Sequence, residues 1–361
     1  MRLPLPARVA ATLALALAAA GFCVRVRSPL PWMLGPLLAT ALASVLGAPT
    51  ASARPLRNAG QWAIGAALGR YFTPEVTALV ASLWWAVVLA VLWALALGTA
   101  FGAWLYRLHA PRMHGVPAPM MRATCFFAGS IGGASEMTLI AEREGTRIDL
   151  VAASHSLRVL MVTVSIPFAL QWSGLHGQGP LAAPVRVVDA GGLLLLIALT
   201  GVGALLMRRL GRANPWFIGA MVVSMALTMS GTTLSAVPQW MSNAAQLVIG
   251  VSLGVRFTWG FVRIAPRWMV TVAIGTAGLM AVSALFAWAL ARLTGLPWAT
   301  LALATSPGGI AEMSITAKVL QLGVPVVIAF QVCRLIAVLL LVEPLSLRLY
   351  RRPAVEANEG V

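Results

Sequence analysis

The chain has 361 residues, of which 60% are apolar and only 10% charged, with a formal net charge of +16. Soluble domains are usually about a quarter charged, so this balance points away from water. The positive charge does not point to nucleic acid either: the arginines are scattered at the ends of apolar blocks and Lys318 is the only lysine, as in the loops of membrane proteins.

The apolar residues come in blocks of roughly 15 to 25, long enough to cross about 30 Å of hydrocarbon as helix and too unalternating for barrel strands. The fold class is therefore all-α, a polytopic helical membrane protein. In chain order, the first half predicts segments over Val9–Val24, Leu30–Leu46, Gln61–Tyr71, Ala78–Leu105, a broken segment Ala123–Ala141, and Leu150–Ala169. The second half predicts Ala190–Met207, Trp216–Met229, Ala244–Val255, Met269–Leu290, a broken segment Ala299–Ala317, and Pro325–Leu341. Arg2 and Arg8 ahead of a run ending Ala18-Ala19-Ala20 look like a secretory signal. That block has a mid-chain counterpart, however, and is read as a true first helix.

The two halves repeat one another. Pro31-Trp32-Met33-Leu34-Gly35 returns as Pro215-Trp216-Phe217-Ile218-Gly219 at an offset of 184. Gln61, Ile64-Gly65, Leu68-Gly69 and Phe72-Thr73 return as Gln246, Ile249-Gly250, Leu253-Gly254 and Phe257-Thr258 at 185. Gly132-Gly133-Ala134-Ser135-Glu136-Met137 returns as Gly308-Gly309-Ile310-Ala311-Glu312-Met313, and Arg158 as Arg334, both at 176. The expected organisation is a first membrane repeat over 1–172, a periplasmic linker over 173–187, a second repeat over 188–347 and a cytoplasmic tail over 348–361.

If each broken segment is a re-entrant hairpin, each half crosses five times and the second half is inverted. Of the 26 basic residues, this arrangement puts eighteen inside and six outside, with Arg158 and Arg334 in the membrane. Such a bias favours ten crossings with both termini cytoplasmic.

Glycine or proline breaks at paired positions point to a transporter binding site. Glu136 and Glu312 follow the breaks, and Arg158 and Arg334 lie inside the sixth segments. Charges at membrane depth are costly and normally face protein or water with a partner. One reading has the two pairs lining a substrate or ion site together with Gly132, Gly133, Ser135, Ser306, Gly308 and Gly309. The other has each glutamate pairing with an arginine to lock hairpin to helix. Thr138, Thr305, Ser314 and Thr316 could hold a ligand or back-bond within their helices. Gln61 and Gln246 are candidate pore-lining residues. His155, replaced by Gln331 in the repeat, reads as a packed polar residue. Trp32, Trp84, Trp85, Trp172, Trp216, Trp240 and Trp268 read as interfacial anchors. The four histidines and Cys23, Cys125 and Cys333 show no metal spacing, so neither a cofactor nor an enzyme is expected.

The Pro31–Pro36 block, the Ile64-Gly65/Leu68-Gly69 block and the doubled Gly-Gly-x-x-Glu-Met with Arg158 and Arg334 resemble the AbrB family of duplicated bacterial membrane proteins. Its members carry the labels AbrB-type regulator or ammonia monooxygenase. The resemblance covers residues 9–347 and departs at Ile131, where the second half has Pro307. It implies a multi-pass inner-membrane protein. The regulatory label sits badly with the absence of any DNA-reading domain, and the monooxygenase label with the missing metal ligands.

The resulting expectation is a secondary transporter of a small solute. Two arginines suit an organic anion, and two glutamates suit protons or sodium as the coupling ion. The alternative is a membrane sensor that affects gene expression indirectly. The partners expected are membrane lipid and the solute, with no direct nucleic-acid contact; a homo-oligomer is compatible with the sequence.

Overall fold

The computed structural model describes residues 4–112, 116–174, 187–211, 214–232, 234–260 and 265–349. Most of the expected linker and tail, and the Ser135 side chain, lie outside the described residues. Fifteen α-helices are described. In the first half they are α1 (Leu5–Arg25), α2 (Pro31–Val45), α3 (Arg54–Gly69), α4 (Pro74–Ser82), α5 (Trp84–His109), α6 (Ala118–Gly129), α7 (Ala134–Arg143) and α8 (Ile148–Trp172). The second half holds α9 (Ala190–Arg209), α10 (Pro215–Met229), α11 (Gln239–Gly254), α12 (Pro266–Thr294), α13 (Trp298–Thr305), α14 (Ile310–Val319) and α15 (Val324–Leu349). Six of them, α1, α5, α8, α9, α12 and α15, are long and apolar enough to cross a membrane, and α2 and α10 are shorter apolar helices. This is a polytopic helical membrane protein.

Local chemistry sets the helix starts. Proline stands in the first turn of α1, α2, α3, α4, α6, α10 and α12, where its missing N–H costs nothing and its fixed φ suits the helix. Asp189 caps α9 by accepting from the Gly192 amide, and Thr73 caps α4 through the Val76 amide. Three expectations need correction. The third segments start earlier than the expected Gln61 and Ala244: α3 and α11 each have 16 residues, because their first turns are polar and invisible to hydropathy. The segment expected over Ala78–Leu105 divides at Leu83 into α4 and α5. Trp268 is no interfacial anchor; it is only 1% exposed, and its indole N–H donates to Ser154 Oγ at 2.8 Å, tying α12 to α8.

The repeat is visible in the packing. Each half pairs its first two helices, α1 with α2 and α9 with α10, and then exchanges neighbours: α2 packs on α11 and α3 on α10. A Cβ on Gly65 would strike the Phe217 carbonyl, and one on Gly250 would strike the Met33 carbonyl. These are the same contact seen from either half. Side chains larger than hydrogen would hold the helices apart, so the glycines allow the close approach. Leu30 (φ 45°) and Asn214 (φ 49°) hold the left-handed conformation at matched positions before Pro31 and Pro215, an uncommon geometry for leucine that both copies share.

The contacts also fix direction. Gly65 and Gly69 of α3 meet Phe217 and Met221 of α10 in rising order, and Gly250 and Gly254 of α11 meet Met33 and Leu37 of α2 likewise. Each of these pairs therefore runs the same way. α3 passes α11 with Gly60 against Ala245 and Val248, and Arg57 in the first turn of α3 lines the same cavity as Arg256, just beyond the end of α11. Those two equivalent helices therefore run against one another.

Candidate functional site: the two helix breaks and the cavity between them

Both broken segments interrupt their helices at the same place. α6 ends at Gly129 and α7 restarts at Ala134; α13 ends at Thr305 and α14 restarts at Ile310. Ile131 in place of Pro307 does not move the break, since the Gly-Gly pair is present in both.

A broken helix leaves carbonyls without helical partners, and inside a membrane protein these must be satisfied internally. The arginines do this. Arg158, on α8, donates from Nη1 to the Gly129 carbonyl at 3.3 Å and from Nη2 to the Ser130 carbonyl at 2.8 Å. Arg334, on α15, donates to the carbonyls of Ser306 and Gly308, the latter at 2.8 Å. A third residue orients each guanidinium. His155 Nδ1 accepts from Arg158 at 2.6 Å while its Nε2 lies 2.9 Å from the Phe127 carbonyl. An Nδ1 that accepts leaves Nε2 as the protonated donor. Gln331 reproduces both contacts, its Oε1 accepting from Arg334 at 2.6 Å and its Nε2 donating to the Leu303 carbonyl at 2.8 Å. All four side chains are buried. Charge-assisted hydrogen bonds contribute about 1.5–3 kcal/mol each, so each lock is a strong local restraint.

The glutamates take no part in these locks. Neither Glu136 nor Glu312 forms an ion pair with Arg158 or Arg334; an ion pair is seen outside the breaks, between Arg147 and Asp149 at 2.7 Å. Each glutamate instead folds back over the start of its own helix, Glu136 against Gly133 and Glu312 against Gly309. There a carboxylate meets exposed amides and the positive end of the helix. The reading in which each glutamate locks to an arginine is thus corrected. The polar break residues mostly back-bond: Thr138 to the Ala134 carbonyl, Thr305 to Leu301, Ser306 to Leu303 and Thr316 to Glu312. The Ser314 hydroxyl is buried without a partner.

Between the breaks lies a half-enclosed cavity of about 1020 Å³. Its lining includes Gly132, Gly133, Glu136, Gly308, Gly309, Glu312, Arg334 and Gln61 from the expected set. Arg158, Ser306 and Gln246 do not line it. Arg57, Asn58, Arg143, Asn214, Ser252 and Arg256 do, and sequence reasoning missed them. A signal existed for Arg57, one helical turn before Gln61 on the same helix face. Four arginines and two glutamates thus share the cavity, with an apolar wall that includes Ile249, Leu253, Leu335 and Leu339.

The cavity is asymmetric although its frame is not. Leu139 lines it and is 56% exposed, whereas its counterpart Ile315 is fully buried at 0%. Leu253 lines the cavity; its counterpart Leu68 is buried in the core. On the closed side Lys318 of α14 donates to Ser242 of α11 at 3.2 Å. The matching residues on the open side are Glu142 and Arg57, which form no ion pair.

A doubled frame, two arginine-locked breaks and a doubled Gly-Gly-x-x-Glu-Met run the length of the chain. Residues 32–350 match the family described as "Transition state regulatory protein AbrB". The chain belongs to the AbrB family. It is 27% identical over 319 residues to the "Putative regulator AbrB" of Escherichia coli (strain K12), spanning 87% of this chain and 88% of that protein. It is 26% identical over 302 residues to the "Uncharacterized protein YhjN" of Bacillus subtilis (strain 168), spanning 79% and 76% respectively. The family match in this AbrB-family member covers both halves of the site.

Proposed function

We propose that this AbrB-family protein is a secondary transporter of a small solute in the bacterial inner membrane. Its two inverted repeats alternate access to the cavity between the breaks. The observation that carries this reading is the asymmetry: matched residues are open on one side and packed shut on the other. In an inverted-repeat transporter the halves exchange conformations to face the opposite side. The antiparallel course of the equivalent helices α3 and α11 supports inversion. The cavity rim holds Arg57, Arg143, Arg256 and the turn at Gly211, all on the side that the arginine bias assigns to the cytoplasm. The form described is then inward-open, with both termini cytoplasmic. Glu136 and Glu312, one from each repeat, are the coupling-ion carriers, taking protons or sodium.

The test is accessibility of single cysteines to a membrane-impermeant maleimide, in a background lacking Cys23, Cys125 and Cys333. Leu139→Cys is expected to react from the cytoplasmic face. Ile315→Cys is expected to stay protected until an imposed ion gradient exposes it to the opposite face. Reaction of both from one face under all conditions would remove the alternating-access reading. Glu136→Gln or Glu312→Gln should abolish flux in proteoliposomes without loss of folded protein.

The names of the family and of its E. coli member favour a second reading, a membrane sensor that acts on gene expression indirectly. That reading calls for a cytoplasmic partner, and for loss of signalling in Arg107→Ala and Arg112→Ala with the glutamates unimportant.

A further inference from the structure

Arg57 on α3 and Arg256, just beyond the end of α11, both enter the cavity. They share it with Glu312 and Glu136. Neither is in an ion pair among the described residues, and the Arg57 Nε is buried with no hydrogen-bond partner, as are the Nε atoms of Arg158 and Arg334, whose terminal nitrogens are satisfied. Other semi-buried or buried arginines here are supplied with acceptors. Arg147 has Asp149, Arg158 has Gly129, Ser130 and His155, and Arg334 has Ser306, Gly308 and Gln331. The two nearby carboxylates that could serve the Arg57–Arg256 pair are turned back onto Gly133 and Gly309 instead. Two guanidiniums in one cavity and left short of acceptors are unfavourable unless something else neutralises them.

The chemistry of that something is constrained. A pair of planar forks suits a carboxylate or similar oxyanion held by parallel N–H bonds. Beside the pair the wall is apolar, formed by Ile249 and Leu253 on α11 and by Leu335 and Leu339 on α15, which suits a hydrocarbon body. We propose that Arg57 and Arg256 form the head-group site for an organic carboxylate, and that this is the substrate class of the transporter; the substrate role rests on the transport reading above. The pair is not duplicated, since its repeat counterparts are Ser242 and Tyr71. The anion is therefore gripped on the open side only, and Glu136 and Glu312 are left to the coupling ion.

The experiment measures thermal unfolding of the full-length protein in detergent against acetate, octanoate, succinate, benzoate and phenylacetate. Each acid is matched with its neutral amide, and inorganic sulfate is included. At least one acid is expected to stabilise the protein while its amide does not. Arg57→Gln and Arg256→Gln should each weaken that binding about tenfold or more, with Arg57→Lys intermediate because it keeps the charge and loses the fork. Three outcomes would overturn the proposal: no acid stabilises, acid and amide act alike, or both glutamine variants bind as wild type. Stabilisation by sulfate as strong as by any acid would overturn its organic part. The two proposals fail separately. Acid binding that needs both arginines, without uptake into proteoliposomes, removes the transport reading and leaves the site. Uptake of a cation or neutral solute, with no acid bound, does the reverse.

Discussion

Both breaks border the cavity, but the helix after the first, with Leu139 56% exposed, is open to it, while after the second the packing is tight: Glu312 is 8% exposed and Met313 to Ala317 on α14 are buried. Yet the locks behind them are the same device. Arg158 with His155 and Arg334 with Gln331 each hold carbonyls of their break: Ser130 and Ser306 are matched, as are Phe127 and Leu303, while the remaining one is Gly129 in the first and Gly308 in the second. The frame of the site is thus symmetric and its surroundings are not. Part of the difference is written in the residues: Arg57, Arg143 and Arg256 on the open side face Ser242, Val319 and Tyr71 on the other. The rest is conformational, because Leu139 and Ile315 are both aliphatic and differ only in what covers them. A device duplicated for fixed geometry has been combined with surfaces that make the two sides unequal.

Removing the shared frame should have the largest effect. Arg158→Ala leaves the Gly129 and Ser130 carbonyls without their side-chain donor, and Arg334→Ala does the same to Gly308 while Gln331 still reaches Ser306; each should cost roughly 2–5 kcal/mol, read as a lowered unfolding midpoint in detergent. If the locks are equivalent the two costs should agree within about 1 kcal/mol; a large gap would mean that the open and closed sides depend on them differently. Next come the crossing glycines. Gly65→Ala and Gly250→Ala each push a methyl into a facing backbone carbonyl and should cost about 1–3 kcal/mol, again as a matched pair. A smaller effect is expected of exchanging the orienting residues. His155→Gln copies the second lock into the first and should change stability by no more than about 1 kcal/mol, as α15 already accepts Gln331 at the matched position. The smallest concerns the closed side alone. Lys318→Ala removes the bond to Ser242 and should cost about 0.5–1.5 kcal/mol, seen as a few-fold rise in Ile315→Cys labelling; no rise would mean that packing alone keeps this side shut.

Much of this was legible beforehand. The apolar blocks located nearly every long helix, since about 30 Å of hydrocarbon demands that length, and the Gly-Gly pairs located both breaks. The roles of the charges were not legible. Glu136 and Arg158 look like natural partners in one dimension, but the break frees carbonyls that compete for the guanidinium, and in the fold they win. Arg57 and Arg256 read in sequence as two more cytoplasmic arginines, because each sits at the polar end of its segment. Only the crossing of α3 with α11 brings them into one cavity.

By itself, then, the chain's sequence determined a duplicated all-α membrane protein, the positions of its breaks and the identity of its buried charges. These follow from local composition and from a period that repeats along the chain. Tertiary structure alone decided which groups those charges meet, that Trp268 is buried against α8, and that one side of a symmetric frame is open. Hydrogen-bond partners and cavities depend on how helices distant in the chain cross, and no local pattern encodes that crossing.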